Sequence, residues 1–217
     1  MKYTWQLLLV FAFITVAVLL FFYIRIQPIK IPERSQTFIT SEPGSITKPT
    51  VTFVNPVKGA KRADVTIIMF GDFTCGPCRL MLEPIEQMLE KYPGKIREVW
   101  KSFPNDGGDE RATPAAIAAM CANEQNKFWE YHDMLYARQM ILSETQYYQI
   151  ASDLDLDLDM FEKCYTNRNP LAIVRKDVDE GIGLDITASP TFFINDEKFV
   201  GAISASELEQ EIQKYIK

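Results

Sequence analysis

Val65-Thr66-Ile67-Ile68-Met69-Phe70 runs directly into Gly71-Asp72-Phe73-Thr74-Cys75-Gly76-Pro77-Cys78-Arg79. The first six residues are apolar but for Thr66 and rich in β-branched side chains, as expected of a strand buried on both faces. Pro77 to Lys91 then has helical spacing. Leu82, Ile85, Met88 and Leu89 share a face, Tyr92-Pro93-Gly94 ends it, and Pro84 is expected to kink it. Two cysteines one turn apart at a strand-to-helix junction present their sulfurs on one side. A helix N-terminus favours thiolate, lowering a cysteine pKa from about 8.5 into a range of roughly 3.5–7.5. Cys75 is therefore read as the exposed, attacking thiol and Cys78 as the resolving one.

A lone C-x-x-C also occurs in zinc sites. Four-cysteine zinc sites usually carry a second close pair. Here the remaining cysteines, Cys121 and Cys164, are widely separated, and His132 is the chain's single histidine. No metal or other cofactor is expected. Asp153 to Asp159 begins like a calcium loop, but the sixth and twelfth positions hold Leu158 and Cys164 instead of Gly and Glu. These aspartates are read as turn and helix-start acids.

Downstream, Lys95 to Phe103 reads as a second strand, parallel to the first if the two are neighbours. Helices are expected from Thr113-Pro114 to Glu124, over Lys127 to Met140, after the Ser143–Gln146 capping pattern, and near Met160–Thr166 and Pro170–Gly181. Phe128, Trp129, Tyr131 and His132 are read as packing this helical block, with tuning of the redox pair the alternative role for His132. Thr191 to Ile194 and Lys198 to Val200 read as a hairpin, and Ser204–Glu207 caps a last helix to Tyr215. The order is β-α-β, a helical block, then β-β-α.

Taken jointly, the stretches VTIIMFGDFTCGPCR, CANEQNKFWEYHDMLYARQ, FEKC and ITASPTFFINDEKFVGA resemble the DsbA-like thioredoxin-fold proteins of the membrane-anchored branch. The resemblance covers about residues 61–217. It implies an α/β thioredoxin fold over 59–217 with a helical insertion at about 105–186. It implies thiol–disulfide exchange with protein substrates through Cys75 and Cys78, flanking the dipeptide Gly76-Pro77. It also implies a cis peptide bond at Ser189-Pro190, with Ser189, Pro190 and Thr191 forming a substrate-contact loop. Pro190 alone would fit an ordinary strand-initiating proline.

Similar proteins can carry a second pair, which would join Cys121 to Cys164 as a structural disulfide; two buried free thiols are the alternative. The expected direction is disulfide donation, recharged by a quinone-linked membrane partner. Gly76-Pro77, familiar from reducing thioredoxins, suggests instead a reductase or isomerase fed by an electron-donating membrane protein. A non-catalytic anchored binding domain is the reading from another class. Relatives often carry a glutamate where this chain has Met69, leaving proton transfer at the resolving cysteine unassigned. Asp72 lies close to the pair, with loop capping the alternative role.

Outside the domain, Leu7 to Ile24 carries no charge, has Trp5 and Tyr23 at its ends and lacks a small-residue cleavage site. It is read as a single membrane-spanning anchor within 1–25, since a crossing helix needs about 20 apolar residues. Residues 26–58, rich in Pro, Ser and Thr, are read as a linker. Lys2 stands against Arg25, Lys30 and Arg34, so flanking charge alone favours a cytoplasmic domain. The resemblance and a second disulfide favour the extracytoplasmic face of a bacterial cell membrane. A net charge of −6 without basic runs argues against nucleic acid as a partner.

Overall fold

The computed structural model describes residues 47–216 and, within the N-terminal segment, Phe13, Thr15 and Leu20. Residues 1–40 form a separate unit from 41–217. The expected anchor and most of the expected linker lie outside the described residues. Among those described, no helix is long and apolar enough to cross a membrane.

Residues 57–213 fold as a thioredoxin-like α/β domain around a mixed five-stranded sheet. Strands β1 (Val57–Gly59), β2 (Val65–Gly71), β3 (Ile96–Ser102), β4 (Thr191–Ile194) and β5 (Glu197–Val200) lie in the order β1-β3-β2-β4-β5. Of the paired neighbours in this sheet, β2 and β3 are parallel, from Val65 opposite Ile96 to Gly71 opposite Ser102, and the other three pairs are antiparallel. β4 and β5 form the expected hairpin. Its turn is shorter than expected because Asn195, at φ 54°, reverses the chain in two residues and Glu197 already pairs with Ile194.

β2 is buried on both faces, as its composition requires. Val65, Ile67 and Met69 face the main core with Ile96, Trp100, Phe192 and Ile194. Ile68 and Phe70 face a smaller one with Val99, Phe193, Leu184 and Ile186.

The helix expected over 77–91 is two helices, α1 (Gly76–Arg79) and α2 (Leu82–Lys91). Pro84 does not kink a helix interior. It lies in the first turn of α2, where its missing N–H costs nothing, and the break precedes it at Leu80-Met81. The insertion supplies α3 (Ala112–Glu124), α4 (Phe128–Ala137), a 3₁₀ turn (Gln139–Ile141), α5 (Glu144–Asp153), α6 (Leu158–Thr166) and α7 (Leu171–Gly183). α4 ends earlier than expected, and the 3₁₀ turn takes up the residues toward Met140. Ser143 caps α5 through the Gln146 N–H at 3.3 Å, and Asp157 caps α6 through Met160 N–H at 2.9 Å. The final helix, α8 (Ala205–Gln213), begins with a complete Ser204–Glu207 capping box.

The domain's sheet begins at Val57, inside the stretch read as linker. Residues just before it are also tied down. Thr50 N–H donates to Glu180 at 2.6 Å and Asn55 to Asp177 at 3.4 Å. Those two α7 carboxylates hold Lys101 of β3 at 2.6 and 3.1 Å, a triad almost closed to solvent. Breaking one member of such a buried group typically costs about 3–5 kcal/mol.

Candidate active site

The end of β2 delivers the chain into the Cys75–Cys78 pair, which the structure joins as a disulfide with the Cα atoms 5.3 Å apart. Cys75 is the N-cap of α1 and half-exposed; Gly76 and Pro77 are exposed. Cys78 is fully buried. The continuous helix expected to favour thiolate at Cys75 is only one turn long before its break. What remains local is the Cys78 N–H, which donates to Cys75 Sγ at 3.1 Å.

The Ser189–Pro190 peptide bond is cis. Ser189 presents its carbonyl oxygen 3.3 Å from Cys75 Sγ, within reach of a reduced thiol. Pro190 is buried beneath it, and the Thr191 hydroxyl donates to Ala188 O at 2.7 Å, closing the loop. A groove of about 640 Å³ opens beside Cys75, walled by Phe103–Asn105 on one side and Thr187–Ser189 on the other. Ser189 Oγ ties the two walls by donating to Phe103 O at 3.2 Å.

Asp72 is a loop holder. One carboxylate oxygen accepts from the Thr74 N–H and hydroxyl at 2.7 and 2.8 Å; the other accepts from Asn105 N–H at 2.9 Å. Both oxygens are thus committed to the loops that frame Cys75. Phe73 is stacked on Trp100 with ring centroids 5.0 Å apart and meets the His132 ring edge-on at 5.5 Å. His132 is buried, and that burial lowers its pKa while Asp133, bonded to Nδ1 at 2.8 Å, partly opposes the shift. It packs the insertion against the active loop.

Three residues of this neighbourhood were not marked by the sequence. Gln139 donates its side-chain amide to both Phe73 O and Cys75 O at 2.9 Å. The Tyr136 hydroxyl donates to Asp72 O at 3.2 Å. Glu98 is 5% exposed on β3, in register with Ile67 of β2. No spacing rule singles out a glutamine two residues past a helix or a glutamate in a mixed-polarity strand. Away from this site, Cys121 on α3 and Cys164 on α6 are joined by a disulfide, 1% and 2% exposed.

With this geometry in place, the family described as Thioredoxin matches residues 52–214. The chain belongs to the thioredoxin family. It is 34% identical over 152 residues to "Na(+)/H(+) antiporter NhaA 1" of Salinispora arenicola, a match covering 70% of this chain and 23% of that protein. The chain therefore spans about a quarter of that relative's length. It is 28% identical over 147 residues to "Probable disulfide bond formation protein D" of Bacillus anthracis, covering 63% of this chain and 68% of that one. Among solved structures, the thiol-disulfide exchange protein alpha-DsbA2 from Wolbachia pipientis shares the fold. Its TM-score is 0.67 at 20% identity, over 75% of this chain and 87% of that one.

Proposed function

We propose that the protein is a DsbA-like thiol–disulfide oxidoreductase that donates the Cys75–Cys78 disulfide to proteins outside the cytoplasm. One observation carries the reading: a half-exposed Cys75 borders a groove and lies 3.3 Å from the Ser189 carbonyl, while its partner Cys78 is sealed below. This asymmetry selects Cys75 Sγ as the atom a substrate thiolate attacks. The Cys75–Cys78 bond breaks, Cys78 leaves as thiolate, and a mixed disulfide forms with Cys75. A second substrate thiolate then attacks the substrate sulfur, forming the product disulfide and releasing reduced Cys75. The groove walls, with Ser189, Pro190 and Thr191, hold the substrate segment.

The name of the Bacillus anthracis relative supports the donating direction. The Cys121–Cys164 bridge supports an oxidising compartment. The apolar segment Leu7–Ile24 is the anchor that keeps the domain at the outer face of a bacterial membrane, beside the quinone-linked partner that reoxidises it. A membrane-impermeant thiol reagent should reach reduced Cys75 in intact cells; labelling only after lysis places the domain on the wrong side.

Gly76-Pro77 favours the second reading, a tethered reductase or isomerase charged by an electron-donating membrane protein. Equilibration with glutathione separates the two. A potential toward about −120 mV supports donation, and one near about −270 mV, that of thioredoxin, supports reduction.

A further inference from the structure

Each opening and closing of the disulfide must move a proton at Cys78, a sulfur with no exposed surface. Three ionisable groups near the pair are already committed. Both Asp72 oxygens bind the framing loops, and Tyr136 donates to backbone. His132 is bonded to Asp133, and its burial disfavours the proton-bearing cation.

A second cavity, of about 390 Å³, lies between the sheet, α2 and α4. Met69 and Leu82 are among the residues that line it. Met69 belongs to the same apolar core as Cys78, and Leu82, one turn beyond Cys78, packs against that core. Glu98 lines it too. It is almost wholly buried, and among the described residues no hydrogen bond reaches its side chain. The Trp129 indole N–H on the same lining is also buried, with no hydrogen-bond acceptor among the described residues. A cavity of this size with several charged side chains on its lining accommodates water, which needs such donors and acceptors.

We propose that Glu98 is the residue that supplies and receives the Cys78 proton, through water in this cavity. Glu98 acts at a distance from the reacting sulfurs and is a positioning residue for the proton. When a substrate thiolate attacks Cys75 and expels Cys78 Sγ with the bonding electron pair, the Glu98 carboxylic acid delivers its proton to that sulfur and becomes carboxylate. In the reverse step the Cys78 thiol gives its proton to the carboxylate as its sulfur attacks Cys75 and expels the substrate thiolate. Protons and electrons balance in both directions, so the role is independent of which way the exchange runs.

The charges around Glu98 suit a group that alternates. Burial pushes its carboxyl up to about 8, and Lys58 of β1 opposes that rise. Asp133 of α4 and Glu86 of α2 add to it. Glu83 of α2 and His132 of α4 complete the ionisable lining, and Lys58 is itself paired with Glu86.

This proposal rests on exchange at Cys75–Cys78. The test uses the full chain and follows reduction of its disulfide by a small thiol from pH 6 to 9, with rates expressed per thiolate. The wild type should show a break near pH 8, above which the rate falls. Glu98→Gln should lack the break and run about tenfold slower below it, less than the roughly 10²–10⁴ of direct general acid–base catalysis because water intervenes. A Gln variant with wild-type rate and an unchanged break would overturn the proposal. Should that variant not fold, redox-difference infrared spectra of the wild type decide. A carboxylic-acid band that changes on reduction at pH 7 supports the proposal, and no carboxyl change overturns it. A wild type that exchanges no disulfide at all would instead strike the reading of the pair.

Discussion

The molecule holds the same bond in two settings. Cys75–Cys78 spans one turn at the end of β2, with one sulfur at a groove and the other sealed in the apolar core. Cys121–Cys164 staples α3 to α6 across 43 residues with both sulfurs sealed from solvent. Near it, Phe161 packs on Tyr131 with ring centroids 5.7 Å apart. The difference shows that the surroundings decide what a disulfide does. A reactive bond needs an exposed sulfur, a place for the attacking chain and a route for a proton; a staple needs to lack all three.

The largest expected effect separates the two pairs by activity. Cys75→Ser should abolish dithiol exchange, measured by turnover of a reduced protein substrate. Cys121→Ser with Cys164→Ser should leave that turnover at the wild-type level in conditions where the domain is folded. If the double variant loses exchange while folded, the division between the pairs fails.

Stability should divide the other way. Removing the Cys121–Cys164 loop closure should lower unfolding free energy by about 4 kcal/mol on the chain-entropy estimate for a loop of 43 residues. Urea unfolding at matched pH measures it. A loss under 1 kcal/mol would break the comparison.

A third effect belongs to the reactive region alone. The Glu98 carboxyl titrates at about 8 in the fold, against an ordinary carboxylate value in the unfolded chain, so the unfolded chain releases its proton first. The contribution is fully present below about pH 4.5 and declines as pH rises toward 8. The slope is on the order of 1 kcal/mol per pH unit. Glu98→Gln should flatten this slope in denaturant titrations at stepped pH; a slope that survives assigns it to another group.

The smallest effect is at Gln139. Replacing it by Leu leaves the Phe73 and Cys75 carbonyls without their amide donor, at a cost of about 1–2 kcal/mol. Faster amide exchange in the 73–78 loop, with no change around Cys121, would place that loss where the structure puts it.

Much of this was legible because it is local. The β2 run, the capping residues of α5 and α8 and the Cys75–Cys78 spacing each carry their own physical reason within a few residues. β1 was not, because Val57-Lys58-Gly59 has no strand periodicity and forms only against β3. That omission hid more than one strand. With β1 in place, β3 is an interior strand, and Glu98 and Lys101, which would pass for solvent-facing residues at an edge, are buried. Gln139 and the helix break before Pro84 likewise depend on what the chain folds against.

The most direct test is to raise dithiothreitol stepwise on the oxidised full chain, alkylate each sample and identify the labelled cysteines by mass spectrometry. Cys75 and Cys78 should label at reductant concentrations that leave Cys121 and Cys164 joined. Labelling of Cys121 and Cys164 together with that pair, or before it, would contradict the account.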